Sequence, residues 1–457
     1  VSVNGWPTLG RFLKFRECDM RENDNGKTDL RPLQEVGEGG DAALQAEQAT
    51  PLKRSLGLPL LTLYGLGVTI GAGIYVLVGK VSGEAGVYAP VSFLIASVLA
   101  GFTGCSYAEL GSRFWRSAGE VLYVEAGFGQ RWLAMTVGLL VAATGLLSSA
   151  VVIIGFVGYL NELIPVPAWF VISVVVIFLS GVTVWGITES VTISAIITVV
   201  ELAGLLMVVV PGFPLITQAL VDPTPLIELS AAPFSFAGIF AGALLAFFAY
   251  IGFEDMANVI EEVKEPARVF PKAVLITIAG ASTLYLLLSV IALLAVPVDE
   301  LSASEAPLAR VYEAVTGQDS SVLSIIAIFA VLNGALIQMI MASRLVYGVA
   351  RKGWLPTAFG FVWQTTRTPV VAIATVGILI LSLALFFPIV EMATVTSLVT
   401  LAVFSLVNAS LVALRLKEAR GVPTAGGYKG GLKFPMWVPS VGCFVSVGMI
   451  VISVATY

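Results

Sequence analysis

Eleven apolar runs, each long enough to cross a bilayer as a helix, dominate this chain: about 57–80, 86–110, 131–160, 166–186, 189–211, 235–260, 272–296, 321–348, 369–387, 391–415 and 435–456. A helix needs about 20 apolar residues to cross a hydrocarbon layer of ~30 Å, and backbone in lipid must satisfy its own polar groups. Together these leave one fold class, an all-α polytopic membrane protein. Composition agrees: 12% of residues are charged and mean hydropathy is +0.94, whereas a soluble surface needs about a quarter charged residues. The runs holding Pro165, Pro211, Pro297 and Pro388 are expected to stop at those prolines, close to a membrane edge.

Several chemistries are excluded early. The chain has no histidine, which removes Ser-His and Cys-His catalysis, histidine metal ligation and histidine proton relays. Cys18, Cys105 and Cys443 are far apart without a CxxC spacing, so neither a disulfide framework nor a zinc site is indicated. No metal, cofactor or enzymatic role is expected. The net charge of −5 does not suggest a nucleic-acid partner, and no feature assigns an oligomeric state or partner subunit. Residues 1–54 are polar and lack an apolar leader segment, which reads as a disordered cytoplasmic tail.

Basic residues set the orientation. Lys53 and Arg54 precede span 1, and Arg113, Arg116 and Arg131 lie between spans 2 and 3. Lys264, Arg268 and Lys272 follow span 6, and Arg344, Arg351, Lys352 and Arg367 lie between spans 8 and 9. Arg415, Lys417, Arg420, Lys429 and Lys433 separate spans 10 and 11, whereas the opposite loops offer only Arg310 among acids such as Asp222, Asp299 and Glu305. The positive-inside rule puts the N-terminus in the cytoplasm and implies a multi-pass protein of the plasma (cytoplasmic) membrane.

Two spans are written to break. Residues 65–76 read G-L-G-V-T-I-G-A-G-I-Y-V, and each glycine weakens a helix by roughly 1 kcal/mol while admitting close backbone approach. Freed backbone polar groups survive in a membrane only where protein or a cavity shields them. Residues 69–74 are therefore expected to unwind and expose a binding site. The competing reading is helix packing, since Gly67-x-x-x-Gly71 is also a GxxxG contact motif. Span 6 repeats the pattern, with Gly252 interrupting A-F-F-A-Y-I-G-F-E-D-M-A-N (246–258). Paired interruptions at equivalent places in two halves point to a transporter site. The division read from this is repeat 1 over 55–212 (spans 1–5), repeat 2 over 213–418 (spans 6–10), and a loop with span 11 over 419–457.

With these residues the chain resembles the amino acid–polyamine–organocation superfamily. I-G-A-G-I (70–74) is similar to its span-1 motif, and F-F-A-Y-I-G-F-E-D (247–255) with E-E-V-K-E-P-A-R-V-F-P-K-A (261–273) to its span 6 and following loop. Y-A-E-L-G-S-R-F (107–114), S-A-G-E-V-L-Y-V-E-A-G-F-G (117–129) and A-S-R-L-V-Y-G-V-A-R-K-G-W-L-P (342–356) match in order. The likeness covers roughly 55–457 and lies nearest the cationic amino acid transporter-like and general bacterial amino acid permease branches. It implies a LeuT-type five-plus-five inverted repeat, usually with twelve spans where eleven fit here. It also implies alternating access, with spans 1, 2, 6 and 7 rocking against 3, 4, 8 and 9.

The site follows from the breaks. N–H groups of Gly71, Ala72, Gly73 and Ile74, at the positive end of the outer half-helix, suit a carboxylate. Carbonyls near Thr69 and Ile70, and near Phe247, Phe248 and Ala249, suit an ammonium group, so an α-amino acid fits both poles. Tyr250 and Phe253 flank Gly252 as gate or lining aromatics, against ordinary packing as the alternative. Glu254 and Asp255 read first as an N-cap pair, and second as recognition for a cationic side chain. The Phe-rich site leans toward neutral substrates.

Glu201 is the sharpest single residue, because a carboxylate deep in a span costs roughly 2.5–3.5 kcal/mol. In some proton-coupled relatives a lysine stands fifteen residues after the glycine of a G-I-x-E-S opening. Here Gly186-Ile-Thr-Glu-Ser190 places Glu201 there, as a proton carrier or a structural acid. Span 8 offers Ala330-Val331-Leu332-Asn333, without the hydroxyls that LeuT-type sodium sites use. The expected function is proton-coupled amino acid uptake. An amino acid or polyamine antiporter without ion coupling is the alternative; a channel or sensor and an intramembrane enzyme fit less well.

Overall fold

The computed structural model describes residues 54–456 apart from 72, 117–118, 186–190, 223, 225–233, 352, 354, 423 and 425–430. The tail, Cys18, Ala72, the 186–190 motif, Lys352 and Lys429 lie outside the described residues. Helix occupies each of the eleven expected runs. Span 1 is Leu58–Ile70 (1a) plus Gly73–Ala85 (1b), and span 2 is Ala89–Arg113. A short helix, Gly119–Phe128, precedes span 3, Arg131–Asn161. Span 4 is Ala168–Trp185, span 5 Val191–Val221, and span 6 Phe236–Phe248 (6a) continued by a 3₁₀ segment, Phe253–Glu262 (6b). Spans 7 to 11 are Pro266–Ala295, Ser321–Arg351, Val370–Phe386, Ile389–Ala419 and Trp437–Thr456. Two short helices, Val298–Ala303 and Pro307–Thr316, join spans 7 and 8. Among the described residues there is no strand, only one bridge from Leu56 to Val263.

Local sequence explains the boundaries. Proline sits in the first turn of spans 1, 2 and 7, where its missing N–H costs nothing. The Ser235 side chain accepts the Gly238 N–H at 3.1 Å and caps span 6a. Pro211 departs from expectation: span 5 runs through Pro211 and Pro214 to Val221. Each proline removes one backbone donor, yet beyond Pro211 the helix continues with Phe213, Leu220 and Val221 facing outward; in lipid the remaining backbone groups are satisfied best by staying helical.

Span 4 marks the lipid side. Trp169 and Trp185 project outward near its two ends, with Ile177 and Phe178 exposed between them, the arrangement of interfacial aromatic anchors. The Leu58–Arg113 stretch of spans 1 and 2 contains an 18-residue apolar window that is 82% buried, against 33% for that of span 4. Span 1b packs on 6a, span 2 on 7, span 3 on 8 and span 4 on 9, so each of the first four meets the span five places later.

Arg113, expected in a loop, is instead the last residue of span 2 and fully buried. It bonds Glu109 at 2.5 Å and Glu418 at 2.6 Å. Glu109 also pairs with Arg415 of span 10 and accepts the Phe434 N–H at 3.1 Å. Two arginines and two glutamates thus cancel in a buried cluster joining spans 2 and 10 to the approach to span 11. Arg116 is exposed.

Candidate substrate site at the two helix breaks

Both expected interruptions exist. Span 1a ends at Ile70 and 1b restarts at Gly73, so the unwound stretch is shorter than 69–74. Gly71 closes 1a by donating its N–H to the Gly67 carbonyl at 3.0 Å. That N–H is therefore engaged, contrary to the expectation of a free donor. Gly73 and Ile74 open helix 1b, whose first N–H groups have no intrahelical acceptor. In span 6 a turn over residues 249–252 separates the halves, with Gly252 at φ +128, a conformation glycine alone adopts without strain.

The breaks meet backbone to backbone. A Cβ on Gly73 would overlap the Cα of Ala249, and one on Gly252 would lie 2.6 Å from the Val68 carbonyl oxygen. The packing reading of the glycines also has substance, because a Cβ on Gly67 would strike the Thr198 hydroxyl of span 5. Gly67 serves packing, and Gly73 and Gly252 serve the crossing.

A residue absent from the sequence expectations ties the breaks together. The Tyr285 hydroxyl of span 7 bridges the Thr69 carbonyl at 3.0 Å and the Ala249 carbonyl at 2.8 Å. Two carbonyls assigned to a substrate ammonium are thus held by a phenol. The Phe247 and Phe248 carbonyls accept the N–H groups of Tyr250 (2.9 Å) and Ile251 (3.1 Å) within the turn. No sequence signal singled out Tyr285, since an apolar run tolerates a tyrosine anywhere its hydroxyl finds a partner.

Thr69, Ile70, Gly71, Gly73, Ile74, Phe247, Phe248, Ala249, Tyr250, Gly252 and Phe253 are all buried. Phe247 and Phe253 pack against Phe404 of span 10 at ring separations of 5.8 and 5.4 Å, and Phe253 meets Tyr107 at 5.5 Å. This cluster covers the span-6 break from below, and Phe404 is a second residue that sequence reasoning missed. Beneath it lies a cavity of about 20 Å³ reached by Glu254 and Asp255, room for about one water and far too small for an amino acid. Glu254, the second residue of segment 6b, reaches back to accept the Gly252 N–H at 2.8 Å; Gly252, not either acid, occupies the N-cap position. Asp255 accepts from Gln338 of span 8 at 3.1 Å. A groove of about 290 Å³ at the far ends of spans 1b, 6a and 11 is larger but remote from both breaks, and its walls are mainly apolar.

Glu201 is buried on span 5, and its backbone carbonyl accepts the Tyr75 hydroxyl at 2.8 Å. The Tyr75 carbonyl in turn accepts the Tyr159 hydroxyl at 2.6 Å. This links spans 3, 1b and 5 two residues beyond Gly73. Among the described residues no acid or cysteine group is arranged to hold a metal ion.

Fold and site together define a polytopic helical membrane protein with two discontinuous spans crossing at a buried, polar-backbone centre. Comparison narrows the class: the amino acid permease family model matches residues 56–456, and the chain belongs to that family. It is 31% identical to the vacuolar cationic amino acid transporter 2 of Arabidopsis thaliana over 82% of this chain and 62% of the relative. It is 28% identical to cationic amino acid transporter 4 of Mus musculus, over 85% of this chain and 62% of the relative. A branched-chain amino acid permease of Bacillus subtilis is 28% identical over 82% and 84%. The chain spans a little under two thirds of the length of the plant and mouse relatives. These relatives are named as transporters and permeases, not enzymes.

Proposed function

We propose that this chain is a secondary-active amino acid transporter, taking up its substrate with a proton by alternating access around the crossing of spans 1 and 6. The observation that carries this reading is the meeting of two interrupted spans at one buried point. There the amide end of helix 1b and the carbonyls at 69 and 249 offer opposite partial charges within a backbone-to-backbone contact. An α-amino acid carries the complementary pair. In this reading the Tyr285 hydroxyl and a substrate ammonium group compete for the carbonyls at 69 and 249. The pairing of spans 1–6, 2–7, 3–8 and 4–9 supports a five-plus-five repeat over 55–212 and 213–418, with 419–457 appended. The names of the relatives support an amino acid as substrate, branched-chain or cationic. The charge bias of the loops supports a cytoplasmic N-terminus in a plasma (cytoplasmic) membrane.

Glu201 is the proposed coupling group. Its main-chain carbonyl holds the Tyr75 hydroxyl, so a shift of span 5 around Glu201 is passed to helix 1b, and intramembrane acids are costly unless used. The test is uptake of radiolabelled leucine and lysine into proteoliposomes under an inward proton gradient, for the wild type and Glu201→Gln. Gradient-driven accumulation that the variant loses while keeping exchange supports symport. Uptake driven only by internal amino acid makes the protein an exchanger and returns Glu201 to a structural role.

A further inference from the structure

The small cavity beneath the span-6 break is walled by three carboxyl groups from two elements: Glu120 from the helix before span 3, and Glu254 and Asp255 from span 6b. The other polar groups facing it are Tyr107 of span 2, Thr144 of span 3, Gln338 of span 8 and Thr400 of span 10, and among the described residues no lysine or arginine lines it. Partners are only partly assigned. Tyr107 donates to Glu120 at 3.2 Å, Gly252 to Glu254 at 2.8 Å, Gln338 to Asp255 at 3.1 Å, and Thr144 to the Val141 carbonyl at 2.8 Å. The Thr400 hydroxyl is different. It is 97% buried, faces the same cavity and has no hydrogen-bond partner among the described residues.

At about 20 Å³ the space holds one water, and a hydroxyl with carboxylates around it gives that water its several partners. Three ionised carboxylates around a one-water space, without a cation, repel one another strongly in a low-dielectric setting. Burial already pushes the Glu120 carboxyl above the ordinary carboxylate range, against the opposing bond from Tyr107.

We propose that this chamber is a proton site, in which Glu120 and Glu254 share one proton through a single water held by Thr400. The proton arrives from water on the side where spans 2 and 10 end, forms an O–H bond on one carboxyl, and returns to that water when the chamber opens. With the proton bound, the helix before span 3 and span 6b stay together. Its loss leaves adjacent like charges that part them. The proposal rests on the transport reading but not on Glu201, and it places a second titrating group on the inner side of the break.

Two measurements test it. In purified protein without substrate, infrared spectra across pH read the stretch of protonated carboxyls directly. Wild type is expected to lose one such band on alkalinisation, and Glu120→Gln to lack that transition. In proteoliposomes, exchange of radiolabelled leucine is expected to slow at least tenfold as the pH on the chamber side falls, and Glu120→Gln to remove that dependence. Thr400→Val keeps shape and removes only the hydroxyl, so its midpoint moves by about one pH unit, roughly tenfold in proton affinity. An unchanged infrared transition and an unchanged profile in both variants overturn the proposal. Absence of exchange in wild type at every pH defeats the transport reading instead, while the infrared titration still decides the site.

Discussion

Replacing Tyr285 with phenylalanine removes a hydroxyl that bridges both breaks, at 3.0 Å to Thr69 and 2.8 Å to Ala249. The ring keeps its edge-on contact with Tyr250 at 5.1 Å, so packing is largely preserved. One proton shared between two acceptors is a single three-centre interaction. Interhelical hydrogen bonds in membrane proteins average about 0.6 kcal/mol and reach about 1.7. Stranding a buried carbonyl costs about 1–3 kcal/mol. The closed form should lose about 1–2 kcal/mol relative to a form whose carbonyls face a substrate ammonium, a shift of roughly 5- to 30-fold. Apparent affinity for leucine or lysine, read by calorimetry in detergent and as KM for exchange, should tighten by that factor. Faster amide exchange over residues 65–76 and 247–256 should accompany it. An affinity that weakens would show that the hydroxyl binds substrate rather than standing in for it. Unchanged affinity with unchanged amide exchange would refute the latch altogether.

Two further substitutions probe the frame. Gly73→Ala puts a methyl into the backbone of Ala249, where no flexible side chain can yield. Transport should be abolished and stability should fall by about 1–3 kcal/mol, with the same change at the outward-facing Gly181, which has open space around it, as the neutral control. Glu109→Gln leaves Arg113 and Arg415 buried without their shared carboxylate. Loss of one partner from such a cluster costs about 3–5 kcal/mol, so thermal unfolding in detergent should move sharply downward. A variant as stable as wild type would mean the cluster is open to water.

The apolar runs were enough to determine an all-α membrane protein, because lipid leaves backbone only one way to satisfy itself within a segment. Both interruptions were legible for a related reason: glycines 65, 67, 71 and 73, and Gly252 beside two acids, contradict the run around them. The extent of unwinding was not, since Gly71 finds an acceptor in Gly67 and keeps helix 1a intact to Ile70. Pro211 misled because a local stop signal is weaker than the need of backbone in lipid to keep satisfying itself within a helix. Tertiary structure alone decided which atoms meet. Tyr285 lies 216 residues from Thr69 and 36 from Ala249, and Thr400 reaches the cavity of Glu120 and Glu254 only because spans 10 and 6 converge. Periodicity says which face of a helix is apolar; which neighbour that face touches, and which hydroxyl is left without a partner, depends on how all the spans pack at once.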